Sequence, residues 1–144
     1  MIKGSISQQF VEYFNKTLRL ARKRVKAYLA DPDSVENVHK LRTSLRRLSA
    51  SHELLPGKLR KKNGSYVERY KKLFRKNGAV RDYDVIITRL RQEGKNDEYN
   101  DIILLLEDKK KKAIEKALEL AESLIKSSKS TTVSGQRIAE EKLI

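Results

Sequence analysis

The side chains best suited to do chemistry in this chain stand close together: His39, Arg42, Arg46 and Arg47. A helix turns by about 100° per residue, so the stretch from Val38 to Leu48 divides into two opposed faces. His39, Arg42 and Arg46 share one face, with Arg47 at its margin. Val38, Leu41, Leu45, Leu48 and Leu55 fall within an arc of about 100° on the other, the width of a core-facing stripe. Solvated helix faces usually mix acids with bases, because opposite charges support each other at i,i+4 spacing. No Asp or Glu occurs between residues 39 and 47. Guanidinium groups crowded in this way repel one another unless something anionic lies among them. The chemistry on offer is anion binding, since arginine forks match phosphate oxygens bidentately.

Other basic residues could extend the same surface. Arg19, Arg22 and Lys26 follow at three- and four-residue steps beside an apolar stripe. In an antiparallel bundle they border the groove of Arg42 and Arg46; otherwise they snorkel into solvent. Farther on come Arg69, Lys71, Lys72, Arg75 and Lys76, then Arg81 beyond Gly78. They ring their helix, so only a subset can face one groove; Lys72, Arg75, Lys76 and Arg81 are the candidates. Arg81 next to Asp82 equally suits a brace between helices. The run Lys109 to Lys112 wraps a full turn, so Lys110 falls on the seam side, but Glu107, Asp108 and Glu115 flank it in the pattern of a solvated face. His52 points to the apolar stripe and reads as a core histidine.

Catalytic chemistry finds little material. The chain has no HExxH, GxxxxGK[ST] or GxSxG motif and no carboxylate cluster suited to a metal. A phosphohistidine mechanism at His39 lacks an acid for the leaving group. The expectation is a non-enzymatic protein without metal or cofactor.

The elements that must position these residues are helices. Apolar residues recur at three- and four-residue steps, and no sustained alternation marks a strand. A first helix spans about residues 6–30, with Phe10, Val11, Phe14, Leu18, Ala21, Val25, Tyr28 and Leu29 in one stripe. Pro32 breaks it, and Asp33 with Glu36 forms a capping box for a second helix from 34 to Leu55. After Pro56-Gly57 a basic loop from Lys58 to Gly64 is expected. A third helix over 65–77 buries Val67, Tyr70, Leu73 and Phe74 and stops at Asn77-Gly78, which suits a left-handed cap. A short fourth helix opens at Asp82 and ends near Gly94. The fifth begins at Asn96 or Asp97 and carries a seam of Tyr99, Ile102, Ile103, Leu106, Ala113, Ile114, Ala117, Ala121, Leu124 and Ile125. The expected architecture is all-α, an antiparallel four-helix-type bundle over residues 1–130. A polar tail, 131–144, could start another helix.

The net charge of +14 on 144 residues is unevenly placed. Residues 1–91 hold 23 Lys and Arg against 8 Asp and Glu, whereas residues 92–144 hold 10 against 11. Such a field recruits a polyanion: nucleic acid, an anionic membrane or a phosphate chain. The absence of cysteine excludes disulfides and thiolate chemistry. It also fits a reducing cytoplasm, which the lack of an N-terminal apolar run makes the expected compartment. The longest apolar run, Ile102 to Leu106, is far too short to span a bilayer.

Two blocks together resemble the CHAD family, the conserved-histidine α-helical domain. The first is Val38-His39-Lys40-Leu41-Arg42 followed by Leu45-Arg46-Arg47-Leu48; the second is Asn77-Gly78-Ala79-Val80-Arg81-Asp82-Tyr83-Asp84-Val85. The similarity covers roughly residues 8–128. It implies a helical bundle that binds inorganic polyphosphate through basic residues lining a groove, with His39, Arg42, Arg46 and Arg47 as ligand contacts. It also lends weight to the basic neighbours on the first and third helices. Family members usually bring two such histidine helices to one cavity, and this chain has one. Three readings stay open: a C2 homodimer rebuilds the cavity, a second half is missing, or one half-site suffices. Apart from the resemblance, nucleic-acid binding is the main competing function. It is disfavoured for single strands because Phe14, Tyr28, Tyr70 and Phe74 fall on core stripes rather than where bases could stack. A bundle whose charge serves solubility alone is the third reading.

Overall fold

A computed structural model describes residues 5–127 as four helices: α1 (Ile6–Ala30), α2 (Val35–Glu53), α3 (Gly57–Glu93) and α4 (Asn100–Ser127). No strand occurs among the described residues. α1 packs on α2 and α4, and α3 packs on α2 and α4, so the helices form a four-cornered bundle in chain order. Short connections make successive helices antiparallel. The expected polar tail and the further helix it could start lie outside the described residues.

The stripes on α1 and α2 become the core. Val11, Phe14, Leu18, Ala21, Val25 and Tyr28 of α1 are buried against Leu41, Leu45 and Leu48 of α2, with Leu55 beyond its end. Leu59, Val67, Tyr70 and Leu73 of α3 and Ala117, Ala121 and Leu124 of α4 close it. His52 is a core histidine, 6% exposed, with Nε2 2.7 Å from the Arg60 carbonyl oxygen. The cap of α2 is Ser34, whose hydroxyl accepts from the Asn37 backbone N–H at 3.2 Å. The expected capping box of Asp33 and Glu36 does not form; Glu36 instead pairs with Lys40 at 2.6 Å.

The main departure from expectation is α3. The expected basic loop from Lys58 to Gly64, the stop at Asn77-Gly78 and the new start at Asp82 all lie inside one continuous helix of 37 residues. Its buried positions explain why. Leu59, Asn63, Val67, Tyr70, Leu73 and Asn77 follow each other at helical steps of three or four, and the two asparagines occupy core-facing positions. Asn63 is satisfied inside the helix, its Nδ2 donating to the Leu59 carbonyl at 2.8 Å. Tertiary packing here overrides the cost of two interior glycines, roughly 1 kcal/mol each relative to alanine.

At 37 residues against 19, α3 is about twice the length of α2. Near 1.5 Å per residue, its C-terminal half and the start of α4 therefore run on past the α1–α2 connection as a two-helix hairpin. Two layers bury less than four. Ile87 and Ile103 face inward, but Val85, Ile86, Leu104 and Leu105 are exposed, and so is Ile102, which was expected in the seam. The hairpin turns through Asn96 and Asp97, both at positive φ (53° and 62°), so neither opens α4. Asn and Asp tolerate this left-handed conformation better than other non-glycine residues.

Candidate functional site

Where the hairpin overhangs the α1–α2 connection, the bundle leaves a step, and the step holds a cleft of about 470 Å³. Three of its arginines come from two helices: Arg42 and Arg46 from α2 and Arg81 from α3, with His39 and Thr43 beside them. Tyr28, Pro32 and Asp33 close one end, while Asn77, Val80, Asp84, Lys110 and Ile114 complete the α3–α4 wall. The acid-free face read from residues 39–47 thus opens onto a concave surface. It does so because Leu41, Leu45 and Leu48 are fully or nearly fully buried, which fixes the rotation of α2.

Arg42 is the most constrained of these groups. It is half-buried, and its Nη1 donates to the Phe74 carbonyl at 3.3 Å. Its guanidinium lies over the Phe74 ring, 4.4 Å from the centroid, and Arg46 shares the same ring at 5.4 Å. Cations over aromatic faces within about 6 Å gain from the ring quadrupole. Burial pushes the Arg42 guanidinium below its ordinary pKa, and the positive charges of Arg46 and Arg81 push the same way against an opposing pull from Asp82. No carboxylate among the described residues comes within 4.0 Å of the charged atoms of His39, Arg42, Arg46, Arg47 or Arg81. Among the described residues the cluster has no direct ion-pair partner, and Asp82 offsets its mutual repulsion at Arg42 only in part.

The other candidates are dispersed. Arg47 is exposed and is not part of the cleft lining. Arg19 and Lys26 are exposed on α1, and Arg22 is half-buried near Tyr70, its Nε without a hydrogen-bond partner. Arg75 pairs with Glu68 at 2.8 Å, Lys72 is exposed and Lys76 half-buried; none of the three lines the cleft.

Several residues in or beneath the cleft are not marked as site residues by the sequence. Lys110, read there as part of a solvated run, reaches Asp84 at 2.5 Å and lines the α4 wall. Tyr28 and Asn77 read as core stripe and helix cap. Both line the cleft, where burial pushes the Tyr28 phenol up and the neighbouring Asn77 amide partly offsets it. Phe74 packs against the core as its spacing predicts, and its ring also underlies two arginines. Only the packing of α3 against α2 and α4 reveals these partnerships.

A family model for the CHAD domain matches residues 12–132, and the chain belongs to that family. No curated protein and no solved structure matches it significantly. Among the described residues no helix is long and apolar enough to cross a membrane.

Proposed function

We propose that this protein binds inorganic polyphosphate, without catalysis, in the cleft between α2 and the α3–α4 hairpin. The observation that carries this reading is Arg42: a half-buried guanidinium beside Arg46 and Arg81 in an open cleft, with no carboxylate of the described residues within 4.0 Å of its charged atoms. Leaving a charge desolvated and unpaired is costly, and a multiply charged anion relieves all three arginines together. Membership of the CHAD family, which is associated with polyphosphate, supports the choice of ligand.

Polyphosphate has no bases, so recognition rests on arginine forks and point charge. Affinity should climb with chain length as successive contacts become intramolecular. The buried positions of Phe14, Tyr28 and Tyr70, and the stacking of Phe74 under arginines, leave none of these four as a platform for bases. The cytoplasm is the compartment this reading adopts.

The test is competition at fixed ionic strength between long-chain polyphosphate, heparin, DNA and RNA, run on the wild type and on the variant with Arg42, Arg46 and Arg47 all replaced by Glu. Preference for polyphosphate, lost in the variant while the helical circular dichroism signal persists, is the expected result. Equal competition by nucleic acid, or binding that survives the charge reversal, refutes the reading.

We further propose that ligand brings two copies together, since one histidine helix builds one basic wall and a C2 pair would set two such walls facing each other. Light scattering should show a doubled mass only when long-chain polyphosphate is present. An unchanged monomer mass refutes the pairing.

A further inference from the structure

The middle of α3 contains Gly78, and the helix runs through it without a break. A glycine inside a helix is a weak choice on backbone grounds, and no turn or cap at this position calls for one. Its surroundings supply a reason. A Cβ placed on Gly78 would stand 3.2 Å from Arg42 Nη1 and 3.6 Å from Nη2. The guanidinium lies directly against the helix backbone, in the space a side chain would occupy. Arg42 cannot easily give way, because Nη1 is tied to the Phe74 carbonyl at 3.3 Å and the Phe74 ring stands 4.4 Å from its centre. Arg46, one turn along α2, rests on the same ring at 5.4 Å.

We infer that Gly78 and Phe74 are positioning residues for ligand: together they form a seat that holds the Arg42 and Arg46 guanidinium groups side by side at the cleft before any anion arrives. The inference rests on the proposed binding of polyphosphate in this cleft. Arginine is rich in rotamers, and immobilising such a side chain on binding lowers affinity. A preformed seat removes that cost, as preorganisation does generally.

Gly64 provides an internal control. It too lies inside α3, and nothing approaches the position of its missing Cβ within 4 Å. Gly64→Ala and Gly78→Ala both improve the helix backbone, but only the second touches an arginine. The experiment measures thermal midpoint and polyphosphate affinity for both variants, for Arg42→Ala, and for the double variant Gly78→Ala with Arg42→Ala. Gly64→Ala should melt higher and bind as the wild type does. Gly78→Ala should retain the fold and bind about three- to tenfold more weakly, the range expected when one side chain must be ordered on binding. In the Arg42→Ala background Gly78→Ala should have no further effect.

The outcomes separate cleanly. If Arg42→Ala weakens binding but Gly78→Ala does not, the seat is refuted while the binding site stands. If Gly78→Ala costs as much affinity without Arg42 as with it, the seat is refuted as well, because the glycine then acts through something else. If Arg42→Ala binds as the wild type does, the cleft reading itself has failed.

Discussion

Replacing Arg42 by methionine separates a ligand-binding arginine from a structural one. In the folded protein the guanidinium gains from the Phe74 ring at 4.4 Å and from one hydrogen bond at 3.3 Å. The first contributes about 0.5–2 kcal/mol; the second, at the long end of the usual range, contributes about 1 kcal/mol or less. Against these stand its partial burial and the repulsion of Arg46 and Arg81. Methionine keeps an unbranched stem over the ring and gains a sulfur–aromatic contact of about 0.3–1.5 kcal/mol. The Phe74 carbonyl retains its helical partner, the N–H four residues on. Folding stability should therefore change by no more than about 1 kcal/mol, a shift of about 4 °C or less in melting temperature. A charge-assisted fork to phosphate contributes about 1.5–3 kcal/mol, so affinity should fall roughly 10- to 150-fold. Circular dichroism melting and calorimetric titration with polyphosphate at one ionic strength give both numbers. A variant that melts more than about 10 °C lower, far outside the shift expected from so small a change, and binds normally would show that Arg42 braces α2 against α3 and serves no ligand.

Two further predictions follow from the same geometry. With Arg42, Arg46 and Arg81 as the cleft's arginines, the logarithm of affinity should fall against the logarithm of salt concentration with a slope of about −2, by analogy with single-stranded nucleic acids; a flat titration would mean that phosphate charge is not what is recognised. Arg46 lines the cleft and Arg47 does not, so Arg46→Ala should lose about tenfold in affinity and Arg47→Ala about twofold or less, as expected for a direct fork against a remote exposed charge. Equal losses would mean that the ligand tracks the outer surface of α2 rather than the cleft.

The parts of this structure legible in the sequence are those governed by local period. The stripes of α1 and α2 needed only apolar spacing, and the rotation they impose on α2 places His39, Arg42 and Arg46 at the cleft. Composition divides α3, because Gly64 and Asn77-Gly78 suit turns and caps, while their role is set by neighbours. Asn63 and Asn77 fill core-facing positions, and Gly78 lies against an arginine from another helix. Lys110 and Asp84 were equally hidden, since their ion pair joins helices that sequence spacing alone cannot register. Phe74 shows the same limit from the other side: its spacing marks it as inward-facing, and only the approach of α2 turns its ring into a support for two cations. Long-range packing, not propensity, converts a basic helix face into a cleft.

Residue-resolved NMR titration of the labelled protein with a short, defined polyphosphate bears most directly on where the anion sits. The largest shifts should fall on the side-chain N–H groups of Arg42, Arg46 and Arg81 and on the backbone amides of His39, Thr43 and Gly78, and in Arg42→Met the remaining shifts should need roughly 10- to 150-fold more polyphosphate. Shifts concentrated on Lys58–Lys62 or on Lys109–Lys112, with the cleft arginines unmoved, would contradict the assignment of this cleft as the polyphosphate site.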